Sequence, residues 1–324
     1  MSPVLNRRDL SGVLLLDKPA GLSSFEVVQR LKRVLRVRKI GHTGTLDPMA
    51  TGLLVVCLNQ ATKMVPFLQA GEKTYTGRML LGLSTDSGDI TGRVILKRSG
   101  LDVTPEEIVR LGREFEGDIE QVPPAFAALK IGGQPAYKLA RRGEKVPERL
   151  RRVVVHELTV TAVELPRVSF ATCVSKGTYI RSLVVDWGRR LRTGACLDEL
   201  RRVGNEPFHI EDALSLAEAE ALAKEGGLEE RIIPLEQALS FLPAVRIDDV
   251  SARLVENGQP LPLEHLGDFT PRPGPIQILN PSAGLLAVYS YDPARTAQAS
   301  ACLTPLRVFT TQEKPPVPRA GKTL

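Results

Sequence analysis

The sequence predicts an α+β fold built on a mixed, mostly antiparallel sheet. Strand-like and helix-like segments alternate irregularly along the chain, and many strand-like segments follow one another at hairpin spacing. No Gly-x-Gly-x-x-Gly motif opens a helix, which argues against a doubly wound nucleotide-binding sheet. With 324 residues, the chain is long enough for two domains.

The first elements are a strand, a helix and a glycine-rich loop. The apolar run Gly12–Leu16 predicts a strand. Ser23–Glu26 has the form of a capping box, in which the first and last side chains bind backbone amides at a helix start. Gly41–Gly52 contains three glycines and one proline and has no helical period. We therefore predict an ordered loop there, followed by the buried strand Leu53–Leu58.

In the middle of the chain, hydrophobic periodicity predicts strands and helix-start signals predict helices. Tyr75, Met79 and Leu81 alternate with more polar residues, as in a strand with one buried face. Thr104–Glu107 combines an N-cap residue, a proline at the first helical position and a glutamate two positions later. Strands are predicted over Thr74–Leu83, Val153–Leu165 and Val168–Ser175, and helices over Thr104–Glu116, Tyr137–Arg142, Ile180–Leu191 and 215–226.

The character of the chain changes after about Leu242, where proline and glycine become dense. Three short strands are predicted beyond this point: Ile276–Leu279, Leu285–Tyr291 and Ala301–Phe309. We therefore predict a larger domain over residues 1–241, a small β-rich domain over 242–310 and a flexible tail over 311–324.

Composition excludes several classes of protein. Hydrophobic residues make up 43% and charged residues 25%, which is typical of a folded globular protein. No apolar run reaches the roughly 18 residues that a membrane helix needs, and the N-terminus lacks the apolar stretch of a signal peptide. We expect a cytoplasmic protein without a membrane partner. The four cysteines stand apart, without metal-ligand spacing, so we expect neither a metal nor a disulfide framework.

The net charge of +6 and the pI of about 9.2 suit a polyanionic partner without establishing one. Six cations lie on the first helix and at its exit: Arg30, Lys32, Arg33, Arg36, Arg38 and Lys39. Such a run is typical either of a solvated helix face or of a surface that contacts RNA or DNA, and both interpretations stay open.

Asp47 is the candidate nucleophile. An aspartate before proline is commonly a turn residue, but a carboxylate of fixed orientation, balanced by a cation, can attack an electrophile. Arg181 is a residue that could supply that cation. No second carboxylate stands in the same loop, whereas a glycosidase needs two. Asp86 and Asp89 lie in another turn-rich segment and are typical of hydrogen-bonded turns.

Tyr75 and Tyr179 are the candidate aromatic residues of a binding site. Each is compatible with an ordinary core position. Each also stands near cations, Lys73 beside the first and Lys176 beside the second, and an aromatic ring flanked by cations suits a stacked base with its phosphates.

The segment Gly41–Leu54 closely resembles the catalytic motif of the TruB family, the bacterial tRNA pseudouridine-55 synthases. Six further segments resemble motifs of this family and occur in its order: Gly12–Pro19, Ala61–Lys63, Lys73–Tyr75, Thr85–Asp89, Ser175–Arg181 and Leu200–Arg202. One departure is Trp187, where the family has a smaller aliphatic residue, and we expect it to alter packing only.

The resemblance implies that the protein isomerises uridine to pseudouridine at position 55 in the T-loop of tRNA, by base flipping and without a cofactor or metal. It implies that Asp47 is the catalytic aspartate, attacking either the uracil ring or the ribose. Tyr75 would stack on the target base and move a proton, and Arg181 would pair with Asp47. The implied substrate-binding residues are His42, Tyr75, Tyr179 and Leu200.

The resemblance also implies a catalytic domain of the pseudouridine synthase type and a PUA-like C-terminal domain. The implied partner is the T-arm of tRNA, bound by a monomer. Two rival functions remain: an RNA-binding protein or chaperone that keeps the scaffold without activity, and a hydrolase of small nucleosides that uses Asp47. A binding protein need not keep Asp47, Tyr75 and Arg181 together, and a nucleoside hydrolase leaves the basic helix unexplained.

Overall fold

A large mixed sheet organises most of the fold. The computed structural model describes residues 10–124, 126, 130–131, 134–135, 142, 150–282, 284–296 and 302–309. Within this part of the chain, ten strands form one sheet, whose main path runs in the order β14-β1-β3-β12-β4-β11-β10-β7, with β2 paired to β3 and β13 to β12. Its strands are β1 Gly12–Lys18, β2 Ile40–His42, β3 Thr51–Leu58, β4 Lys73–Leu81, β7 Gly117–Gln121, β10 Arg151–Glu164, β11 Arg167–Val174, β12 Ala195–Asn205, β13 Phe208–His209 and β14 Leu214–Ser215.

Smaller sheets use the remaining strands. Two hairpins consist of β5 Leu83–Thr85 with β6 Val94–Lys97, and of β8 Lys130–Ile131 with β9 Gln134–Pro135. A five-stranded sheet has the order β15-β17-β18-β19-β16. Its strands are β15 Ala244–Arg246, β16 Leu261–Pro262, β17 Gly274–Leu279, β18 Leu285–Tyr291 and β19 Cys302–Val308.

The helices are short, and four of those described begin after an N-cap side chain that accepts from a backbone amide. They are α1 Ser24–Leu35, α2 Val65–Leu68, α3 Pro105–Arg113, α4 Ile180–Arg190, α5 Leu216–Glu225, α6 Leu235–Ala238, α7 Asp249–Glu256 and α8 Pro293–Thr296. Short 3₁₀ helices lie at Asn59–Met64, Ile210–Asp212, Leu228–Arg231 and Leu263–Leu266. Among the described residues, no helix combines the length and the apolar character that crossing a bilayer requires.

Pairing in the large sheet confirms the predicted mixed, mostly antiparallel type. The central strand β4 pairs antiparallel with both β11 and β12, whereas β12 with β3 and β1 with β14 are parallel pairs. Burial alternates along β4, with Tyr75, Met79 and Leu81 inward, as its sequence predicts. The α+β class predicted from the sequence is confirmed.

The capping box predicted at Ser23 is formed. The Ser23 hydroxyl accepts from the Glu26 amide at 3.2 Å, and the Glu26 carboxylate accepts from the Ser23 amide at 2.8 Å. The helix α1 that follows buries Val27, Leu31 and Leu35 against the fold. A capping box of this kind satisfies two amides that would otherwise lack partners.

Helix α3 begins where predicted but ends earlier. The Thr104 hydroxyl accepts from the Glu107 amide at 3.3 Å. The chain leaves the helix after Arg113, because the amides of Phe115 and Glu116 bond three residues back instead of four. The tighter last turn shortens the predicted helix by three residues. The helix predicted over Tyr137–Arg142 lies outside the described residues, apart from its last residue.

The chain divides into two compact units. The larger contains Leu14–Asn59 and Val65–Arg231, and the smaller contains Ser11–Val13, Gln60–Met64 and the chain from Ile232 onward. The smaller unit holds the five-stranded sheet, and its three long strands overlap the three predicted ones. Helix α7 within it was not predicted. The tail predicted over 311–324 lies outside the described residues.

Trp187 is a packing residue of the larger unit, as expected. Its side chain is fully buried, and its ring contacts those of Phe115 and Phe170 at centroid distances of 6.4 and 6.1 Å. Gly112 of α3 faces this ring so closely that a Cβ there would lie 2.5 Å from Cζ2 of Trp187. The indole therefore occupies space that only a glycine leaves open.

We predict that Gly112→Ala destabilises the protein. In an exposed helix interior the same substitution stabilises by about 1 kcal/mol, but here the added methyl overpacks a rigid ring, which costs about 1–3 kcal/mol. Urea unfolding should therefore show a lower midpoint for Gly112→Ala. Arg113→Ala, an exposed change on the next residue of the same helix, is the control and should shift the free energy of unfolding by less than about 0.5 kcal/mol. If Gly112→Ala were more stable than the wild type, the Trp187 ring would be able to move away from the added methyl group.

Candidate active site

An ion pair joins the predicted nucleophile to its predicted cation. Arg181 Nη2 donates to Oδ1 of Asp47 at 3.2 Å, and Nε lies 2.8 Å from Oδ2 without the alignment of a hydrogen bond. The Arg181 side chain is 4% exposed, whereas that of Asp47 is 35% exposed. The carboxylate thus remains accessible while its counter-ion is buried, which is the arrangement that an anionic nucleophile needs.

Arg181 is held on several sides at once. Its Nη1 donates to the backbone oxygen of Ser87 at 2.8 Å, and its Nη2 also donates to the backbone oxygen of Phe126 at 3.2 Å. A second carboxylate, Asp89, lies 3.7 Å from Nη1. Asp89 itself accepts from the Ser87 hydroxyl and from the amide and hydroxyl of Thr91. The guanidinium is therefore shared between two carboxylates and fixed in orientation.

Burial raises the pKa of Asp47 above its ordinary value. The nearby Arg181 cation opposes this shift, and the Asp89 carboxylate adds to it. The net direction is upward because removing the carboxylate from water outweighs its pairing with the guanidinium. Burial thus disfavours the charge of Asp47, and the neighbouring Arg181 offsets part of that effect.

The loop that carries Asp47 is fixed from the side of α1. The Ser24 hydroxyl accepts from the Leu46 amide at 2.8 Å and donates to the Leu46 oxygen at 3.1 Å. Lys18 is fully buried, and its ammonium donates to the oxygens of Leu22 at 2.6 Å and Pro48 at 3.3 Å. Burial lowers the pKa of Lys18 to about 8. These contacts hold both residues that flank Asp47, so its backbone position is set by the fold.

The same loop is fixed from β12. The guanidinium of Arg202 is buried and donates to the backbone oxygens of Leu53 at 2.7 Å and Gly44 at 3.1 Å. Gly52 has a φ of +99°, and a Cβ there would lie 2.2 Å from the Arg202 oxygen, so no other residue fits. The Asn205 amide donates to the Thr43 hydroxyl at 3.4 Å. Loop and strand are therefore locked together.

A cavity of about 500 Å³ opens beside Asp47. Tyr75, Tyr179 and Leu200, three of the residues that the family resemblance implies bind substrate, line it. Its described lining includes five cationic side chains: Lys73, Arg151, Lys176, Arg181 and Arg202. Among the described lining residues, Asp47 alone is acidic. A pocket with one carboxylate, two aromatic rings and an excess of positive charge suits a base together with its phosphates.

Lys73 is the buried lysine of this lining. Its ammonium donates to the backbone oxygens of Gln69 at 3.1 Å and Gly71 at 2.6 Å. Burial, and to a smaller extent the neighbouring cations Arg202 and Lys176, lowers the pKa of Lys73 to about 8. Crowded cations of this kind are relieved when an anion enters the cavity.

His42 lies on β2, one residue before Thr43, the first residue of the cavity lining. Its ring is partly buried, and its Nδ1 has no hydrogen-bond partner among the described residues. Burial lowers the pKa of His42, which favours the neutral ring. The structure thus brings Asp47, Tyr75, Tyr179, Arg181 and Leu200 to one cavity and leaves His42 at its margin.

Sequence reasoning missed two residues of the site. Arg202 was noted as part of a family-like segment but received no role, and Gln121, whose side chain bonds the backbone of Tyr179, received none. Both act on backbone groups far away in sequence, and such contacts leave no local pattern. Among the described residues, no group of three or more His, Cys, Asp or Glu side chains could hold a metal ion.

The chain matches two family models in succession. Residues 32–180 match the family model described as TruB family pseudouridylate synthase, N-terminal domain, and residues 181–240 match the tRNA pseudouridylate synthase B C-terminal domain. A chain of a solved Cbf5-Nop10-Gar1 complex superposes with a TM-score of 0.73 at 30% identity, covering 94% of this chain and 86% of that one.

Two curated relatives are similar over most of their length. The tRNA pseudouridine synthase B of Geobacter sulfurreducens is 40% identical over 251 residues, which is 78% of this chain and 83% of the relative. The protein of the same name from Geobacillus thermodenitrificans is 37% identical over 307 residues, which is 93% of this chain and the whole of the relative. With an aspartate paired to an arginine beside two aromatic rings in one basic cavity, and with both family models matched in order, this chain belongs to the TruB family of pseudouridylate synthases.

Proposed function

We propose that this enzyme converts uridine 55 in the T-loop of tRNA to pseudouridine. The observation that carries the proposal is the Asp47–Arg181 pair at the base of a cationic cavity. Two relatives of similar length bear the name tRNA pseudouridine synthase B. The reaction breaks the bond from ribose to a ring nitrogen and forms one from ribose to a ring carbon, so substrate and product have the same atoms and no redox partner is required.

Asp47 acts as the nucleophile of this isomerisation. Its ionised form attacks either the uracil ring or the anomeric carbon of ribose, and Arg181 stabilises the charge before attack and after release. The ring carbon that gains the bond to ribose must lose its proton. Tyr75 is 7% exposed and lines the same cavity, and it stacks on the flipped base and moves this proton.

The hypothesis that the protein is a nucleoside hydrolase fits the cavity poorly. Hydrolysis of a glycosidic bond generally uses a second carboxylate as acid or base. The described lining contains one acidic residue, Asp47, and the nearby Asp89 is committed to Arg181, Ser87 and Thr91. A free nucleoside also has no phosphates for the cations of this cavity to bind. These features favour a nucleotide within RNA.

The target must leave the stack to reach this cavity. Extrusion of a base costs a few kcal/mol, least where the base is already poorly paired, as in a loop. We propose the T-arm as the element bound, with His42 at the cavity margin supporting the flipped arrangement. Tyr179 and Leu200 contact the extruded base.

The remaining parts of the proposal concern the whole protein. The catalytic domain spans residues 1–241, and a PUA-like domain over 242–310 contributes RNA contacts, followed by the tail 311–324. The enzyme acts as a monomer in the cytoplasm, where its substrate is made. The five-stranded sheet of the smaller unit supports a separate β-rich C-terminal domain.

We predict that Asp47→Asn abolishes turnover and leaves folding and tRNA binding nearly intact, because the amide keeps the shape of the side chain but is not an anionic nucleophile. Mass-spectrometric mapping of an unmodified tRNA transcript should find pseudouridine at position 55 after incubation with the wild type and none with the variant. Free uridine should not react.

Asp86→Asn is the matched control, since this exposed carboxylate accepts from the Arg93 amide and is absent from the cavity lining. It should retain wild-type turnover. If Asp47→Asn turned over within tenfold of the wild type, Asp47 would have no place in the mechanism.

We predict that Tyr75→Phe binds tRNA normally yet reacts at least roughly 10²-fold more slowly, the low end for positioned acid–base catalysis. The phenyl ring keeps the stacking face, which contributes about 1–3 kcal/mol, but loses the hydroxyl. Tyr75→Leu should fail in both binding and reaction. Single-turnover rates at saturating enzyme measure the difference, and a Phe variant of near-wild-type speed would leave Tyr75 a stacking platform only.

We predict that tRNA affinity falls steeply with salt and that Arg33→Ala with Arg36→Ala flattens the slope of log affinity against log salt. Both side chains are exposed on α1 and its exit, whereas Arg30 is paired with Glu220 at 2.9 Å. Each phosphate contact removed should lower the slope by about one. Arg110→Ala with Arg113→Ala, an equal loss of charge on α3, is the control and should leave the slope unchanged. Equal slopes for all three proteins would make the basic helix a solvated face.

A further inference from the structure

Helix α4 starts without a cap of its own. Tyr179 occupies the N-cap position, and its side chain makes no capping hydrogen bond. The first turn also carries no acidic residue. A helix start leaves several amides without partners, so an uncapped start frays readily. This turn carries Tyr179 and Arg181, both of which line the cavity, and Arg181 pairs with Asp47.

Gln121 supplies the missing anchor from another element. It is the last residue of β7 and is 1% exposed. Its Oε1 accepts from the Tyr179 amide at 3.0 Å, and its Nε2 donates to the Tyr179 oxygen at 3.4 Å. A primary amide presents a donor and an acceptor side by side, so one side chain engages both backbone groups of one residue.

The chain that follows Gln121 continues the attachment. The Ser182 hydroxyl donates to the Val122 oxygen at 2.7 Å, and Arg181 Nη2 donates to the Phe126 oxygen at 3.2 Å. The first turn of α4 is thus tied to the end of β7 and the residues after it at successive positions. In this set of contacts, the Gln121 side chain is the group that binds the N-cap residue, Tyr179, directly.

We propose that Gln121 is a positioning residue, which fixes the start of α4 and thereby sets Tyr179 and Arg181 against Asp47. Gln121 is absent from the described lining of the cavity, so it acts through the backbone of Tyr179 and not on substrate. This inference rests on the proposed function, because its effect is measured on that reaction. The site then includes the buried side-chain amide of Gln121, which no local sequence motif predicts.

The geometry of the ion pair makes the site sensitive to this anchor. One contact between Arg181 and Asp47 is a hydrogen bond of 3.2 Å, and the other is an unaligned approach of 2.8 Å. A displacement of about 1 Å at the reacting groups can cost roughly 10²-fold in rate. If the helix start shifts or frays, Arg181 also loses part of its hold on the charge of Asp47.

Gln121→Met tests the proposal, because methionine keeps the length and bulk of the side chain and removes both hydrogen bonds. We expect the single-turnover rate to fall at least tenfold while the Kd for tRNA stays within about twofold of the wild type. The acid limb of the pH–rate profile should move to higher pH. Arg181 lowers the pKa of Asp47, so a weaker pairing raises that pKa and requires a higher pH for ionisation.

Gln277→Met is the matched control. Gln277 is also buried, 3% exposed, and donates to the Leu239 oxygen at 2.9 Å within the smaller unit. It should lower the melting temperature and leave both the rate and the acid limb unchanged. If Gln121→Met fails to fold, Gln121→Asn replaces it, since the shorter side chain keeps an amide but cannot span both backbone groups of Tyr179. The same slow rate and shifted limb are expected.

A wild-type rate and acid limb in a folded Gln121 variant would overturn the proposal. So would a slower rate with an unshifted acid limb, because a purely structural role reduces the amount of active enzyme without altering its ionisation. Failure of the wild-type protein to form pseudouridine in tRNA would overturn the proposed function instead, so the two failures are distinguishable.

Discussion

The pair of Asp47 and Arg181 is the interaction on which the rest of the site depends. A carboxylate and a guanidinium withdrawn from water lose much of their hydration, and their mutual attraction offsets that loss only in good geometry. The fold supplies that geometry from both ends. Ser24, Lys18 and Arg202 hold the loop of the carboxylate, and the backbone oxygen of Ser87 and the Asp89 carboxylate hold the guanidinium.

The same constraint accounts for the charge of the cavity. Arg202 and Lys73 donate hydrogen bonds to backbone oxygens and have no acidic partner among the described residues. The protein thus tolerates uncompensated positive charge beside a carboxylate whose pKa is raised. Cations without acidic partners are the arrangement that the proposed phosphate-bearing substrate needs. A polyanionic substrate completes the charge balance that the chain leaves open.

Local signals allowed much of the fold to be predicted. Capping residues located α1 and α5, alternation located β4, and short strand-like runs located the three long strands of the smaller unit. Strand β12 was missed, because Asp198 and other charged residues interrupt its apolar pattern. In the sheet, Asp198 accepts from both Arg78 and Arg167 on adjacent strands, so its charge is satisfied only in the tertiary structure.

The residues of the candidate site also divide into those that the sequence could predict and those that it could not. A contiguous motif with a family resemblance identified Asp47 and predicted its pairing with Arg181, and the two side chains do meet. Gln121 and the backbone role of Arg202 could not be predicted, since each depends on which strand end lies beside which loop. Residues that react leave a pattern in sequence, whereas residues that hold them in place are visible only once distant segments are brought together.

The smaller unit has a consequence for synthesis. It takes two short segments from the first fifth of the chain, Ser11–Val13 and Gln60–Met64, and combines them with the chain from Ile232 onward. The Lys63 ammonium donates to the Val308 oxygen, 245 residues later. At about 5–20 residues per second, a ribosome delivers that partner some 10–50 s afterwards. During this interval the early segments emerge without their partners, so the smaller unit is completed only near the end of translation.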